Sequence, residues 1–238
     1  MRRMIGLIFS MLAMIAAPVG GAWAYEGGVV SNGGSISGVV KFNGMAPTAK
    51  PLMITKDKSV CGKTPKTDPT LVVKDGNVEY AVVSLTDIKT GKKMEPMKVT
   101  LNQMGCEYHP HVLGLTAGST VEILNPDGIL HNVHSYSKVN SPFNRAQPKF
   151  KKKLSVKISK PEIIHVQCDV HGWMTGYLFV AGNPYFSVTN DQGAFSLSDV
   201  PPGTYNLEVW HETLGKKSQK VTVGPKQDVK VTFELSKG

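Results

Sequence analysis

Beyond residue 24 the chain carries no long stretch of helical period. Short runs rich in Val, Ile, Leu, Thr and aromatic residues recur instead, each closed off by Gly, Pro, Asn or Asp. They fall at 35–42, 78–85, 98–102, 120–124, 153–159, 163–168, 177–181, 194–197, 204–210 and 229–235. Such runs read as strands, and sheets with one apolar face must bury it against another layer. The expected class is therefore all-β, of sandwich type.

Residues 1–24 are set aside from the fold as a secretory signal peptide. Arg2 and Arg3 precede an apolar stretch at 4–17, and Ala22-Trp23-Ala24 is a small-x-small cleavage site. The stretch is shorter than the roughly 20 residues a spanning helix needs, and Pro18-Val19-Gly20-Gly21 interrupts it. A periplasmic protein exported by a Sec-type signal is expected, with no membrane span after signal removal. The formal net charge is +9, of which Arg2 and Arg3 supply two. A basic balance favours acidic protein partners or anionic surfaces. Nucleic acid is not expected, because the compartment is wrong and aromatic and basic residues do not interleave. The densest positive run, Lys149 with Lys151, Lys152 and Lys153, reads as a solvated loop.

There are three cysteines, at 61, 106 and 168. An oxidising compartment permits disulfides, and an odd count leaves one thiol to explain. Cys61 and Cys106 both stand beside Gly and are expected to pair, with two reduced thiols as the alternative. Cys168 ends the run Glu162-Ile163-Ile164-His165-Val166-Gln167-Cys168. Side chains alternate across a strand, so Cys168 shares the apolar face of Ile164 and Val166. His165 points the other way and is not expected to meet Cys168 at a metal. After Cys168 comes Asp169-Val170-His171-Gly172-Trp173-Met174, a C-x2-H-x2-M loop. A tight loop of this size can turn a thiolate, an imidazole and a thioether to one point. Soft sulfur with imidazole selects copper over hard cations. A second histidine stands 37 residues upstream of Cys168, in Asn125-Pro126-Asp127-Gly128-Ile129-Leu130-His131-Asn132-Val133.

That "HNV" segment and the C-x2-H-x2-M loop resemble the plastocyanin, pseudoazurin and amicyanin group of cupredoxins, and the ligand-loop spacing is that of amicyanin. Tyr108-His109-Pro110 and Gly118-Ser119-Thr120-Val121 extend the resemblance over about 98–182. The resemblance implies one copper ion bound by His131 and His171 through Nδ1, by Cys168 as thiolate and by Met174 as a long axial ligand. It also implies that Asn132 fixes the ligand loop, with its backbone N–H near the Cys168 sulfur. Val170 departs from the family, where Pro is common, and Glu162 and His165 stand where relatives often have Gly and an aromatic residue. The ligand loop holds no second cysteine, so a two-copper centre is not expected, and no C-x-x-C-H marks covalent haem.

Downstream, Thr189-Asn190-Asp191-Gln192-Gly193-Ala194-Phe195 and Pro201-Pro202-Gly203-Thr204-Tyr205 resemble carboxypeptidase-regulatory-like (transthyretin-like) sandwiches. The family's first strand and its "G-x-P" turn match 38–47, and its next strand matches Ala81-Val82-Val83-Ser84-Leu85. The expected layout is discontinuous: a regulatory-like sandwich from 34–92 plus 183–236, and a Greek-key cupredoxin sandwich inserted at 93–182. An N-terminally extended cupredoxin followed by a separate C-terminal domain is the alternative.

Other residues carry weaker signals. His109, His111 and His134 are weighed as a second metal site, with surface or edge-strand roles preferred. His211 reads as an interdomain or surface residue. Met94, Met97 and Met104 are irregularly spaced and read as packing, and Trp173 reads as part of an apolar surface near the ligand edge where redox partners dock. The function expected is one-electron transfer, with a redox protein such as a c-type cytochrome, an oxidase or a reductase as partner. Copper handling or tolerance is the alternative. No enzyme is expected, since no Ser/His/Asp order or paired catalytic carboxylates can be argued.

Overall fold

The structure is a computed structural model that describes residues 25–237; the expected signal peptide lies outside the described residues. Before the ligand region come β1 (Glu26–Gly28), β2 (Gly34–Phe42), a single helical turn α1 (Lys58–Cys61), β3 (Val73–Lys74), β4 (Asn77–Val78), β5 (Val82–Leu85) and β6 (Thr90–Lys92). The middle of the chain holds β7 (Lys98–Met104), β8 (Glu107–His109), β9 (Val112–Thr116), β10 (Thr120–Leu124), β11 (His131–Tyr136), β12 (Asn144–Gln147), β13 (Lys153–Lys157), β14 (Glu162–Gln167) and β15 (Thr175–Ala181). The tail holds β16 (Phe186–Val188), β17 (Ala194–Val200), β18 (Gly203–His211), β19 (Gly215–Val223) and β20 (Asp228–Leu235).

The class is all-β, and the strands form two sandwiches with separate cores. One sandwich faces the sheet β16-β5-β18-β19 against β17-β2-β4-β3, with β20 running parallel to β2. Its core gathers Ile36, Val40, Leu85, Tyr185, Leu207 and Phe233 from both ends of the chain. The other sandwich faces β13-β10-β7-β8 against β12-β11-β14-β15-β9. Its core includes Leu101, Leu115, Ile123, Ile164, Val166 and Leu178. The period-2 pattern of β14 decides which residues enter that core: Ile164 and Val166 are fully buried while Ile163, His165 and Gln167 face outward.

Two passages between the sandwiches, near residues 95 and 181, meet at one turn. Thr116 donates through Oγ1 to the Glu95 carbonyl at 2.7 Å, and the Ala117 N–H donates to Ala181 at 2.9 Å. Rings and one polar pair close the junction. Tyr177 meets Trp210 at 5.2 Å between centroids, and Phe179 meets Phe186 at 5.9 Å. His111 Nε2 is hydrogen-bonded to Glu212, and both side chains are buried. Gly114 makes this approach possible, because a Cβ there would lie 2.7 Å from the Phe186 ring.

The segment 51–67 contains α1 but no strand. It closes on itself through a bridge between Pro51 and Thr67 and the Leu52 N–H donating to Lys66 at 2.9 Å. Ile54 and Val60 pack against the core of the second sandwich, and Cys61 lies inside it. Cys61 is joined to Cys106 by a disulfide, with Cα atoms 5.2 Å apart. No helix among the described residues is long and apolar enough to cross a membrane.

Candidate metal centre

Two pieces of chain bring the donor atoms together. His131 opens β11, where it pairs with Gln147 of β12. The turn before it is tied down by Asn125, whose side chain donates to Ile129 at 2.8 Å and to Gln147 at 2.9 Å. Cys168 follows β14, and the loop to β15 closes tightly. The Cys168 N–H donates to the Met174 carbonyl at 3.1 Å, and the Met174 N–H donates to the His171 carbonyl at 2.8 Å. Those two bonds close a seven-residue turn from Cys168 to Met174, and the side chains of Cys168, His171 and Met174 are all buried.

The Nδ1 atoms of His131 and His171 lie 3.0 Å apart. The Cys168 sulfur lies 3.9 Å from His171 Nδ1. A carboxylate engages the far nitrogen of each ring: His131 Nε2 is 2.9 Å from Asp127, and His171 Nε2 is 2.9 Å from Asp57. Carboxylates accept only, so they draw the ring protons to Nε2 and aim the Nδ1 lone pairs at each other. Two lone pairs and a sulfur converging in a buried space make a donor set for a cation, and their softness fits copper or another thiophilic ion. Among the described residues, His131, Cys168 and His171 form one group with ligand atoms within 4.8 Å of one another. Cys106, Asp127 and His131 form another, but the Cys106 sulfur is used in the disulfide.

The electrostatics match the geometry. Burial pushes the Cys168 thiol up, but His131 and the backbone N–H groups of Asn132, His171 and Val170 outweigh it and bring the thiol below its ordinary range. Burial also opposes charge on His131, yet Asp127 and the Cys168 sulfur raise it above the usual histidine value. His171 moves the other way, lowered by burial and by the His131 ring in spite of Asp57. Burial raises Asp127, but its bonds to His131 and to the Gly105 and Cys106 amides hold it low.

Asn132 is the knot of the loop. Its Oδ1 accepts from the Asp169 N–H at 2.8 Å, and its amide donates to Asn144 at 2.8 Å and to Asp169 at 3.0 Å. Its backbone carbonyl accepts from the buried Tyr108 hydroxyl at 2.6 Å. The other histidines stand apart from this cluster. His134 pairs with Asp169, His165 meets Thr175 at 2.7 Å, and His111 is taken by Glu212. His211 is buried at the end of β18 and accepts the Thr213 and Leu214 N–H groups. His109, His111 and His134 do not come together as a metal group among the described residues.

Two features depart from the sequence reading. Met97 and Met104 are exposed rather than packed. Trp173 does not simply present an apolar face; its Nε1–H donates to the Cys106 carbonyl at 3.1 Å, and its ring leans on His171. Sequence reasoning passed over Asp57 and Asp127 altogether. Asp127 had a local signal, standing four residues before His131 in a turn, whereas Asp57 is 114 residues from the ring it touches.

The family profile described as carboxypeptidase regulatory-like domain matches residues 180–236, the stretch of β16 to β20. No curated protein sequence matches the chain. Among solved structures, a copper-containing nitrite reductase from Thermus scotoductus SA-01 is similar at 21% identity and a TM-score of 0.33. The alignment covers 48% of this chain and 26% of that one, so the chain spans about a quarter of the reductase. An amicyanin variant in the Cu(I) form aligns at 21% identity and a TM-score of 0.32, over 35% of this chain and 82% of the amicyanin. A purple cupredoxin from Nitrosopumilus maritimus aligns at 23% identity and a TM-score of 0.28, over 32% of this chain and 82% of that one.

Proposed function

We propose that the chain is a periplasmic, mononuclear copper protein that carries single electrons. One observation carries this reading. Two imidazole Nδ1 atoms 3.0 Å apart meet the Cys168 sulfur in a buried space, while Asp127 and Asp57 occupy both Nε2 atoms. His131 and His171 would bind through Nδ1, Cys168 as thiolate and Met174 through its thioether. When bound there, copper would supply one-electron exchange between its Cu(I) and Cu(II) states. The residues supply the rest. Asn132 and the backbone N–H groups hold the sulfur in place, the two carboxylates fix the ring tautomers, and the core behind Cys168 excludes water. A site held this firmly changes little between charge states, which suits electron transfer.

The chain layout proposed with this function is a regulatory-like sandwich from 34–92 and 183–236, interrupted by a cupredoxin module at 93–182. The bonds of Thr116 to Glu95 and of Ala117 to Ala181 support it, since they bring the module's two ends to one turn and make insertion easy. The basic charge favours an acidic redox partner such as a c-type cytochrome, an oxidase or a reductase. Both ligand imidazoles are buried, so Leu130, exposed and next to His131, is the apolar contact nearest the site along the chain.

Copper handling is the second reading, favoured by the exposed thioethers of Met97 and Met104. Loading the protein with Cu(II) separates the two. An intense thiolate charge-transfer band with a reversible couple is the result expected of a carrier. Tight Cu(I) binding without that band would move the assignment to handling, and absence of copper binding would end both.

A further inference from the structure

The closed loop 51–67 is placed over the candidate centre by more than packing. Lys66, its side chain buried, reaches Glu107 at 3.0 Å and fastens the neck of the loop to β8. The Asp57 backbone has φ 48°, a left-handed conformation, and its carbonyl accepts the Val60 and Cys61 N–H groups at 2.9 Å. That turn starts α1 (Lys58–Cys61) with Asp57 at its N-cap, and frees the Asp57 carboxylate to reach His171 Nε2. On the other side of the disulfide, the Gly105 and Cys106 N–H groups donate to Asp127 at 2.7 and 2.8 Å. Asp127 in turn holds His131 Nε2.

We propose that the Cys61–Cys106 disulfide is a positioning clamp that sets both ligand histidines at once, through Asp57 on one side and Asp127 on the other. The proposal rests on reading His131 and His171 as metal donors. A ring whose Nδ1 must face a metal keeps one freedom, rotation about its side-chain bonds, and a carboxylate at Nε2 removes it. Here the two carboxylates come from segments 70 residues apart in the chain, and without a bond between those segments each could drift with its own loop. One covalent link between Cys61 and Cys106 holds them in register. The clamp also covers His171, whose ring has no exposed edge. Asp57 and Asp127 are thus positioning residues for the centre.

The clamp is tested on the metal-free protein by proton–nitrogen correlation spectra of its imidazoles. In the wild type, His131 and His171 should each show a slowly exchanging Nε2–H. Asp57→Gly keeps the left-handed backbone, since glycine adopts it freely, and removes the carboxylate. It should lose the His171 signal and leave that of His131. Asp57→Asn keeps an acceptor oxygen and should restore it. Asp127→Ala should lose the His131 signal alone. The double variant Cys61→Ser/Cys106→Ser should lose both while its backbone spectrum stays dispersed. If the double variant keeps both signals, the clamp is wrong; if it does not fold, the two aspartate variants decide, and either one leaving its ring unchanged overturns the proposal. With copper present, Asp57→Gly should weaken binding by roughly 10–100-fold. A wild type that shows both Nε2–H signals but binds no copper would support the clamp and end the copper reading.

Discussion

At the scale of single residues, Asn132 shows how much one side chain can carry. It bonds the Asp169 N–H, Asn144 and the Asp169 carboxylate, and so joins the β11 start to the ligand loop. Asn132→Ala would leave the Asp169 N–H and Asn144 short of partners and loosen the loop. Copper affinity should fall by roughly 10–100-fold with the fold retained, measured by competition with a chelator; an unchanged affinity would show that the loop holds itself. The grouping of Cys168 with His171 was legible in the sequence because their order is local: both fall within one short loop. Asn132 was legible as the neighbour of His131. Asp57 was not, because the contact joins residues 114 apart and nothing near Asp57 marks it as more than a turn residue.

At the scale of elements, strand alternation was the most reliable guide. It turned His165 away from the site and placed Ile164, Val166 and Cys168 inward, as β14 shows. The end of β18 gives a pH prediction. Burial, with His111 nearby, pushes the His211 pKa down to about 4. Its neutral Nδ1 accepts the Thr213 and Leu214 N–H groups, and protonation would remove that acceptor. The folded state therefore binds this proton more weakly than the unfolded chain, whose histidine titrates near 6.5. Stability should be full above that value and fall as pH drops from about 6.5 towards 4. Urea midpoints should follow this fall, and His211→Gln should flatten it; an equal acid limb in both proteins would contradict the assignment. The β11–β12 connection has its own acid limit. Glu162 accepts from Ser137, Lys138, Val139 and Asn140, and those bonds, acting against burial, lower its pKa to about 2. Its contribution is present above about 4.5 and lost as pH falls through about 2, so Glu162→Gln should weaken this connection at neutral pH, seen as faster amide exchange across 137–140.

At the scale of the whole molecule, two cores share one chain and meet over a narrow polar and aromatic junction. His111 and Glu212 are its buried polar pair. Glu212→Ala would leave Nε2 of the buried His111 without its partner while Nδ1 keeps the Thr175 carbonyl, and unfolding free energy should fall by about 1–3 kcal/mol; a loss below about 0.5 kcal/mol would mean that the rings carry the junction. Removing the disulfide should cost roughly 2–5 kcal/mol, because it closes a loop of 45 residues. The two sandwiches were legible from strand spacing and turn chemistry. The course of 51–67 was not, since its few apolar residues show no period and its place is set by a disulfide and a buried Lys66–Glu107 pair. The central claim is that Cys168 is a thiolate donor to one copper ion. The visible spectrum of the Cu(II)-loaded protein, recorded beside that of Cys168→Ser, tests it most directly. A strong thiolate band at one copper per chain, lost in the serine variant, is the predicted result; a band that persists in Cys168→Ser would contradict the assignment.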